Sequence, residues 1–552
     1  MAQAKEPPAV RVPSLCITGS HFHPALIRQF RDTFADTVEF CATPLPNVPW
    51  LGVLSFKSIC VIGPLATPKA AGCGECARQR VLAAAAGRQV QLIPTTNLTD
   101  AAVRAIFREA MWAMHGRSTL VDYALVIEND TDEESLHRVI PLPQCPLCSG
   151  GAISPRTGDT LLEMLAGWVD PHTGVIPALA VEPGEQLPFV VATAPPHVFE
   201  QDGSLRRLAV GWGKGLTLFD AMLSAVGEGI ERYSASLPCP SKVVWARADE
   251  LEGDVLRPDE FSLYSEEQYR RTGFPFVRFD QHVRHPWVRG NCFSTGANIW
   301  VPAIFAYLSL DVHRENLVAQ GTSNGLACDT DFKDASSRAM LELVERDAFL
   351  AAWYTGHPGH PIAVDEEKLQ QVIAHVESLG AEVETYMLDT SAFGFTAMCL
   401  AFGDGVTYPG VTMGLGAGLS IDDALRSAVL ELGQTAPYLK RLMQTRSVTD
   451  EKSVIDMLDH SVYFFDKKRA RWFDRLRGSE PFNGASGHAD NLRIALVDVS
   501  SADVASGPFK VVRAVSPDLQ ALSYGYGLER EIVPRIREMG VAKDRPPIHP
   551  IW

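Results

Sequence analysis

Apolar residues recur along this chain with two periods, and the periods divide it into elements. SLCITG (14–19) and SICVIGPL (58–65) are short apolar runs that predict buried strands. HPALIRQFRDTF (23–34) and TDAAVRAIFREAMWAMHG (99–116) repeat apolar residues at helical spacing and predict amphipathic helices, the second capped by Asp100. VLAAAAG (81–87) is short and apolar, with Gly87 as a helix stop. Together these elements predict a small α/β unit ending near residue 150, behind a flexible tail at residues 1–13. GGAISPRTGDT (150–160) reads as a linker, and LLEMLAGWVDPHTGVIPALAV and PFVVATA after it predict sheet strands. From residue 211 onward Gly-rich turns lead into long helices, and strand candidates such as KVVWARA (242–248) and FTAMCLAF (395–402) alternate with them. No internal repeat of about 20 to 50 residues stands out. The ending DRPPIHPIW carries three prolines and must be extended.

The polar faces of the long helices carry the first candidate chemistry. In SAVGEGIERYSAS (224–236), Ser224, Glu228, Glu231 and Arg232 fall on one side, opposite Leu218, Phe219, Met222, Val226, Ile230 and Tyr233. Such a face either meets water or holds a cation between its carboxylates. A second helix repeats the layout: Glu342, Glu345 and Arg346 face away from Met340, Leu341, Val344 and Ala348, behind a turn at Ser323, Asn324 and Gly325. Neither glutamate pair has a lysine four residues on, so each repels itself unless a cation or the arginines neutralise it. Four glutamates meeting between two helices suit magnesium bound to phosphate oxygens. A third helix adds Arg426, Glu431 and Gln434; alone, that pair reads as solvent-facing. Lys214 lies between Gly213 and Gly215 in GWGKGLT, which is no Walker A loop and reads either as a plain turn or as a cation offered to a phosphate. HPGH (357–360) reads as a turn, and no GxSxG elbow is present.

Charge and cysteine usage narrow the class. The 552-residue chain has a net charge of −16 with its acids spread along it, which disfavours nucleic acid as a partner. No apolar run approaches the ~18 residues of a membrane span, and the first residues lack the apolar segment of a signal peptide. A cytoplasmic protein is expected, without structural disulfides among its 11 cysteines. Cys73 and Cys76 in GCGECARQR and Cys145 and Cys148 in QCPLCSG form two CxxC knuckles, the thiolate set of a closed structural zinc site. The other seven cysteines read as small buried residues.

In combination, GKG followed by SAVGEGIER, SNGLA followed by ELVER, and the helix of Glu431 and Gln434 resemble the nucleotide motifs of the YcaO family. The resemblance covers roughly residues 155 to 552 and implies an α+β fold with a three-layer ATP-dependent domain over 153–552. It implies magnesium on Glu228, Glu231, Glu342 and Glu345, and phosphate contacts from Lys214, Arg232 and Arg346. It further implies nucleotide contacts from Ser224, Ser323, Asn324, Glu431 and Gln434. Residues 1–152 resemble a truncated form of the E1-like, ThiF-related domain of azoline-forming cyclodehydratases, with the two knuckles as its zinc site. That unit has no G-x-G-x-x-G loop and is not expected to adenylate.

The implied activity is ATP-dependent cyclodehydration of Cys, Ser or Thr in a ribosomally made precursor peptide, with Arg232 and Arg346 at the transferring phosphoryl group. The family's azoline-forming members often end in PxPxP, with the terminal carboxylate near the active site. Here Pro546, Pro547 and Pro550 precede Trp552, whose carboxylate is the candidate base. The lack of a clear winged-helix peptide-binding segment implies a separate leader-binding (RRE-bearing) partner. A flavin dehydrogenase and a homodimer are further implied partners. Thioamide or amidine formation is the alternative within the family, and a non-catalytic peptide-presenting scaffold the alternative outside it.

Overall fold

Eight consecutive residues, Ile59–Ala66, are all buried, because their alternating side chains reach two different cores. They belong to the computed structural model of the chain. It describes residues 15–552 except 20–21, 23, 35–36, 46, 68–71, 144, 149–164, 185, 201, 391–392, 485–491, 545 and 547. The expected tail at 1–13, the linker at 150–160 and the 152/153 boundary lie outside the described residues. Contacts group the chain into two units. One holds residues 1–179, 193–210 and 502–508, and the other holds 180–192, 211–501 and 509–552.

The first unit is built on strands β1 (Leu15–Thr18), β2 (Val38–Cys41), β3 (Trp50–Ser55), β4 (Ile59–Ala66), β5 (Tyr123–Glu128) and β6 (Glu134–Arg138). They form one sheet in the order β2-β1-β3-β4-β5-β6, parallel on either side of β1 and antiparallel beyond β3. Helices α1 (Pro24–Phe34) and α3 (Asp100–Met114) cover one face, where Phe30 and Ile106 meet Ile17, Leu51 and Ile62. Helix α2 (Gly74–Gly87) covers the other, with Ala77 and Val81 against Val61 and Val126. The VLAAAAG run is thus the second half of a helix that starts immediately after Cys73. The cap of α3 is Thr99, whose hydroxyl accepts the Ala102 N–H at 3.2 Å, and Asp100 sits in the first turn. Residues 165–176 form a turn rather than a strand: the Asp170 carboxylate accepts the N–H groups of His172 and Thr173, each at 2.8 Å.

In the second unit a seven-stranded sheet includes β7 (Leu326–Asp329) and β10 (Lys510–Val515), paired antiparallel with Leu326 opposite Arg513. A four-stranded sheet includes β8 (Phe395–Phe402, the predicted FTAMCLAF strand) and β9 (Val411–Gly418). The 24-residue helix α5 (Phe332–Thr355) packs on both. Its first half sets Ala339 and Val344 against Leu496 and Val512, and its second half sets Phe349 and Trp353 against Leu400 and Leu415. Helices α6 (Glu367–Ser378) and α7 (Ile421–Leu442) cover the far face of the four-stranded sheet, with Val372 and Ala428 against Ala397 and Cys399. Among the described residues no helix is long and apolar enough to cross a membrane.

One device occurs three times. A short strand turns into a helix through a capping residue: Trp212–Gly215 through Thr217 into α4 (Leu218–Ala235), β7 through Asp331 into α5, and β9 through Ser420 into α7. Counted from the cap, each helix carries Asp at the third position (Asp220, Asp334, Asp423), Ala at the fourth and eighth, and Glu at the eleventh (Glu228, Glu342, Glu431). The fourteenth position is Glu231, Glu345 and Gln434, and the next is Arg232, Arg346 and Thr435. An internal repeat of roughly 20 residues therefore exists, against the expectation of none. The alanines explain the spacing. A Cβ on Gly213 would lie 1.9 Å from the Ala221 carbonyl oxygen, and one on Gly416 would lie 2.4 Å from that of Ala424, so strand and helix meet main chain to main chain. This also makes GWGKG a strand and not the expected plain turn.

Candidate active site

The repeat places five carboxylates at equivalent positions on three helices, and cations from the first and second copies pair with four of them. Arg232 Nη2 lies 2.8 Å from Glu228 Oε1, and its Nε lies 3.8 Å from Glu231. Arg346 Nη1 lies 3.4 Å from Glu345 and 3.9 Å from Glu431. Lys214 Nζ donates to Glu431 Oε2 at 3.0 Å, so the third copy, which has Thr435 in place of an arginine, borrows its cations from the other two. Glu431 and Gln434 are half-buried, and Glu431 is part of the network rather than a solvent-facing acid. The strands take part as well: the Trp212 N–H donates to Glu228 Oε2 at 3.0 Å, and the equivalent Leu415 N–H donates to Glu431 Oε1 at 3.4 Å. In the middle copy the Leu326 N–H bonds to Ser323 O instead.

Electrostatics separate these acids. Burial pushes Glu342 and Glu345 up to about 7, with the nearby arginines opposing it. Burial also holds Glu231 well above the usual carboxylate range, and Glu342 and Glu228 add to that. Glu431 is shifted the other way: burial opposes its charge, but Lys214 and Arg346 outweigh it. Carboxylates crowded to the point of holding protons are what a cation would relieve.

Sequence reasoning missed two groups here. Arg513 on β10 is buried, lies in the field of Glu342 and Glu231, and donates to Thr322 O at 2.8 Å. Tyr524 lies in the field of Arg346, Glu342 and Arg232. Neither carries a local motif. Three buried polar atoms, Arg232 Nε, Asn324 Oδ1 and Arg513 Nε, have no hydrogen-bond partner, which fits a site shaped for a polar ligand. Of the remaining expected residues, Ser224 is exposed one turn before Glu228, and Ser323 is half-buried beside Asn324. Arg426 pairs with Glu366 at 2.8 Å. Trp552 stacks on Tyr438 at 5.7 Å, and Tyr438 in turn faces Trp212 at 6.2 Å.

In the first unit the four expected cysteines converge. Sγ separations are 3.8 Å for Cys73–Cys76, 3.6 Å for Cys73–Cys145 and 3.5 Å for Cys76–Cys148, and one ligand atom from each lies within 4.8 Å of all the others. A metal bound tetrahedrally at about 2.3 Å sets its sulfurs about 3.8 Å apart, so the cluster could hold one. The Leu142 N–H donates to Cys76 Sγ at 3.4 Å. Of the other cysteines, Cys16, Cys60 and Cys399 are buried, whereas Cys41, Cys239, Cys292 and Cys328 are half-buried.

A family model described as YcaO cyclodehydratase, ATP- and Mg2+-binding, matches residues 212–520. Among curated proteins no match to the sequence is found. Of solved structures, a heterocyclase in complex with substrate and cofactor is similar with a TM-score of 0.72 and 17% identity, over 98% of this chain and 86% of that one. The heterocyclase TruD is similar with a TM-score of 0.63 and 17% identity, over 92% of this chain and 79% of that one. At such identity these likenesses show a shared fold. The family model spans more than half of the chain and contains all three strand–cap–helix copies, so the protein belongs to the YcaO cyclodehydratases, enzymes that bind ATP and Mg2+.

Proposed function

We propose that the protein converts Cys, Ser or Thr residues of a ribosomally made precursor peptide into thiazolines or oxazolines, driven by ATP. The observation that carries this reading is the clustering of charge across the three copies: Arg232 pairs with Glu228 and Glu231, Lys214 and Arg346 share Glu431, Arg346 also meets Glu345, and Glu342 lies in the field of Arg346, Arg513 and Arg232. There, Glu228, Glu231, Glu342 and Glu345 would hold Mg2+, and Lys214, Arg232, Arg346 and Arg513 would face the phosphates. Ser224, Ser323, Asn324, Glu431 and Gln434 orient the nucleotide by hydrogen bonds. Mg2+ bound there would screen the phosphate charge that otherwise repels an attacking oxygen.

The peptide's side chain attacks the preceding carbonyl carbon, and its own proton passes to a base, for which Trp552's terminal carboxylate is the candidate. The amide oxygen then takes the γ-phosphoryl group of ATP, with Arg232 and Arg346 stabilising the charge in flight. The ring having closed at the attack, phosphate departs with that oxygen as the amide proton is lost, and the C–N bond becomes C=N. Net, the peptide loses one water and ATP becomes ADP and phosphate.

The first unit, taken as residues 1–152 before a catalytic region at 153–552, is read as a truncated E1-like domain whose four cysteines hold structural Zn2+. A zinc site of four thiolates suits a reducing, cytoplasmic setting. A separate RRE-bearing protein delivers the leader, a flavin dehydrogenase oxidises the product, and the enzyme works as a homodimer.

The test is mass spectrometry of the precursor incubated with the protein, its leader-binding partner, ATP and Mg2+. Loss of one water per modified residue with equal phosphate release is expected. A mass change only when sulfide is supplied would transfer the reading to thioamide formation. A folded protein that binds no ATP would leave a peptide-presenting scaffold.

A further inference from the structure

A cation inside a protein is normally met by a carboxylate, because taking it out of water is costly unless an opposite charge is supplied. The arginines of the glutamate site follow this rule. Arg232 pairs with Glu228, Arg346 with Glu345, and Arg513 lies in the field of Glu342 and Glu231. Arg530 departs from it. It is 7% exposed, and among the described residues no carboxylate pairs with its guanidinium. Its Nε is buried without a hydrogen-bond partner. Its surroundings are aromatic: the guanidinium carbon lies 5.5 Å from the centre of the Tyr264 ring and 5.7 Å from that of Phe305. The Tyr264 hydroxyl is the polar group beside it. Five N–H donors and a full charge exceed what two ring faces and one phenol supply. Burial accordingly holds Arg530 below the ordinary arginine range, with two tyrosines and no acid opposing it.

The main chain fixes the residue in this position. The Arg530 N–H donates to Ser523 Oγ at 3.1 Å, the Glu531 N–H to Leu263 O at 2.9 Å, and Gln520 Nε2 to Glu531 O at 3.3 Å. Tyr264 is in turn tied to the turn of Ser323 and Asn324. Its Oη accepts the Gln320 N–H at 3.4 Å, and Gln320 stands two residues before Thr322, whose carbonyl receives Arg513 at 2.8 Å. The other arginines of this lobe are engaged: Arg278 pairs with Glu266, and Arg271 Nη2 donates to Gly527 O at 3.0 Å. A single unneutralised cation is therefore held ready against two rings.

We infer that Arg530 is an anchoring site for a carboxylate of the precursor peptide, either an Asp or Glu side chain or the peptide's own C-terminus. This rests on the cyclodehydratase reading above. One guanidinium matches one negative charge, and its planar edge takes both oxygens of a carboxylate in two parallel hydrogen bonds. A phosphate carries more charge than one arginine balances, and the phosphates of ATP have four cations of their own in that reading. The rings strengthen the pair by keeping water from it. Arg530 makes and breaks no bond; it selects the stretch of peptide that is held.

The test is the Kd of the fluorescently labelled precursor, read by anisotropy with the leader-binding partner present in every arm. In one set each Asp and Glu of the precursor is replaced singly by Asn or Gln, and in a second the C-terminus is amidated. Both sets are titrated against the wild type and against Arg530→Gln. One neutralisation should weaken binding to the wild type by about tenfold and binding to Arg530→Gln by less than about twofold, and its position separates side chain from terminus. Arg530→Gln should itself bind the native precursor about tenfold more weakly, while its Kd for ATP with Mg2+ holds. If it does not fold, Arg530→Lys, which keeps the charge and loses the paired bonds, takes its place in the same cycle. A variant that weakens every precursor alike, with no neutralisation coupled to it, shows a structural arginine and overturns the site. A loss of ATP affinity equal to the loss of peptide affinity would put the arginine on the nucleotide and also overturn it. A wild type that shows the coupling and closes no ring keeps this site and overturns the cyclodehydratase reading alone.

Discussion

The chain holds two clusters that we propose as metal sites, and they are opposites. The four sulfurs of the first unit lie within 4.8 Å of one another, with Cys73, Cys76 and Cys145 buried, and they offer a soft, closed shell. The five carboxylates of the second unit are hard donors interleaved with Lys214, Arg232 and Arg346, so protein cations already pair with some of them. A closed shell suits an ion that stays and is part of the fold. An open, partly paired one suits an ion that arrives with a substrate and leaves with its product.

Three experiments would break or sharpen that contrast. The largest effect is expected from Cys145→Ser. Structural zinc, where bound, contributes on the order of 10 kcal/mol, more than a domain's net stability, so under the zinc proposal the variant should lose the ion and the first unit its resistance to proteolysis. An unchanged digestion pattern with zinc absent would show that the cluster does not hold the fold. Next comes Glu342→Gln, expected to lower kcat by about 100-fold or more while the unliganded protein melts no lower, and at pH 8 somewhat higher, because a crowded charge has been removed. A lower melting point at pH 8 would mean that Glu342 supports the fold as the cysteines do. The smallest effect concerns pH. Glu342 and Glu345 hold protons up to about 7 in the folded chain against about 4.5 when unfolded. The stability they give is present below about 4.5 and is lost as pH rises through about 7. Mg2+ should therefore raise the melting temperature more at pH 8 than at pH 5.5, measured by calorimetry with and without the ion. Equal shifts at both pH values would show that these carboxylates are not its ligands.

The helix faces and the cysteine knuckles were legible because their spacing is local: Glu228 to Arg232 spans one turn, and each CxxC is four residues long. The repeat was not, although every residue of it was in view. Its shared positions are Asp, Ala, Ala and Glu, common helix residues, and its three copies sit at unequal intervals with no steady period. GWGKG was read as a turn because glycine signals flexibility in one dimension, whereas here it allows a helix to approach. Arg513 and Tyr524 reach the site only through long-range pairing. Leu326 opposite Arg513 is a fact of sheet register, and nothing in KVVRAV announces it. Likewise, Asp100 looked like a cap because Asp is common there, and Thr99, one residue earlier, makes the bond.

The contact between the glycine strands and their helices has a mechanical consequence. Side chains are the compliant layer of a protein: they hop rotamers, tolerate substitution and absorb strain. Gly211 and Gly213 against Ala221, Ala225 and Gly229 leave no such layer, and neither do Gly414 and Gly416 against Ala424, Ala428 and Leu432. The distance from a strand amide to Glu228 or to Glu431 is then measured off against the peptide backbone itself, as with a steel rule. Changes in the surrounding core can shift the rest of the molecule by fractions of an ångström without stretching that gauge, so the two carboxylates stay calibrated while the sequence around them drifts.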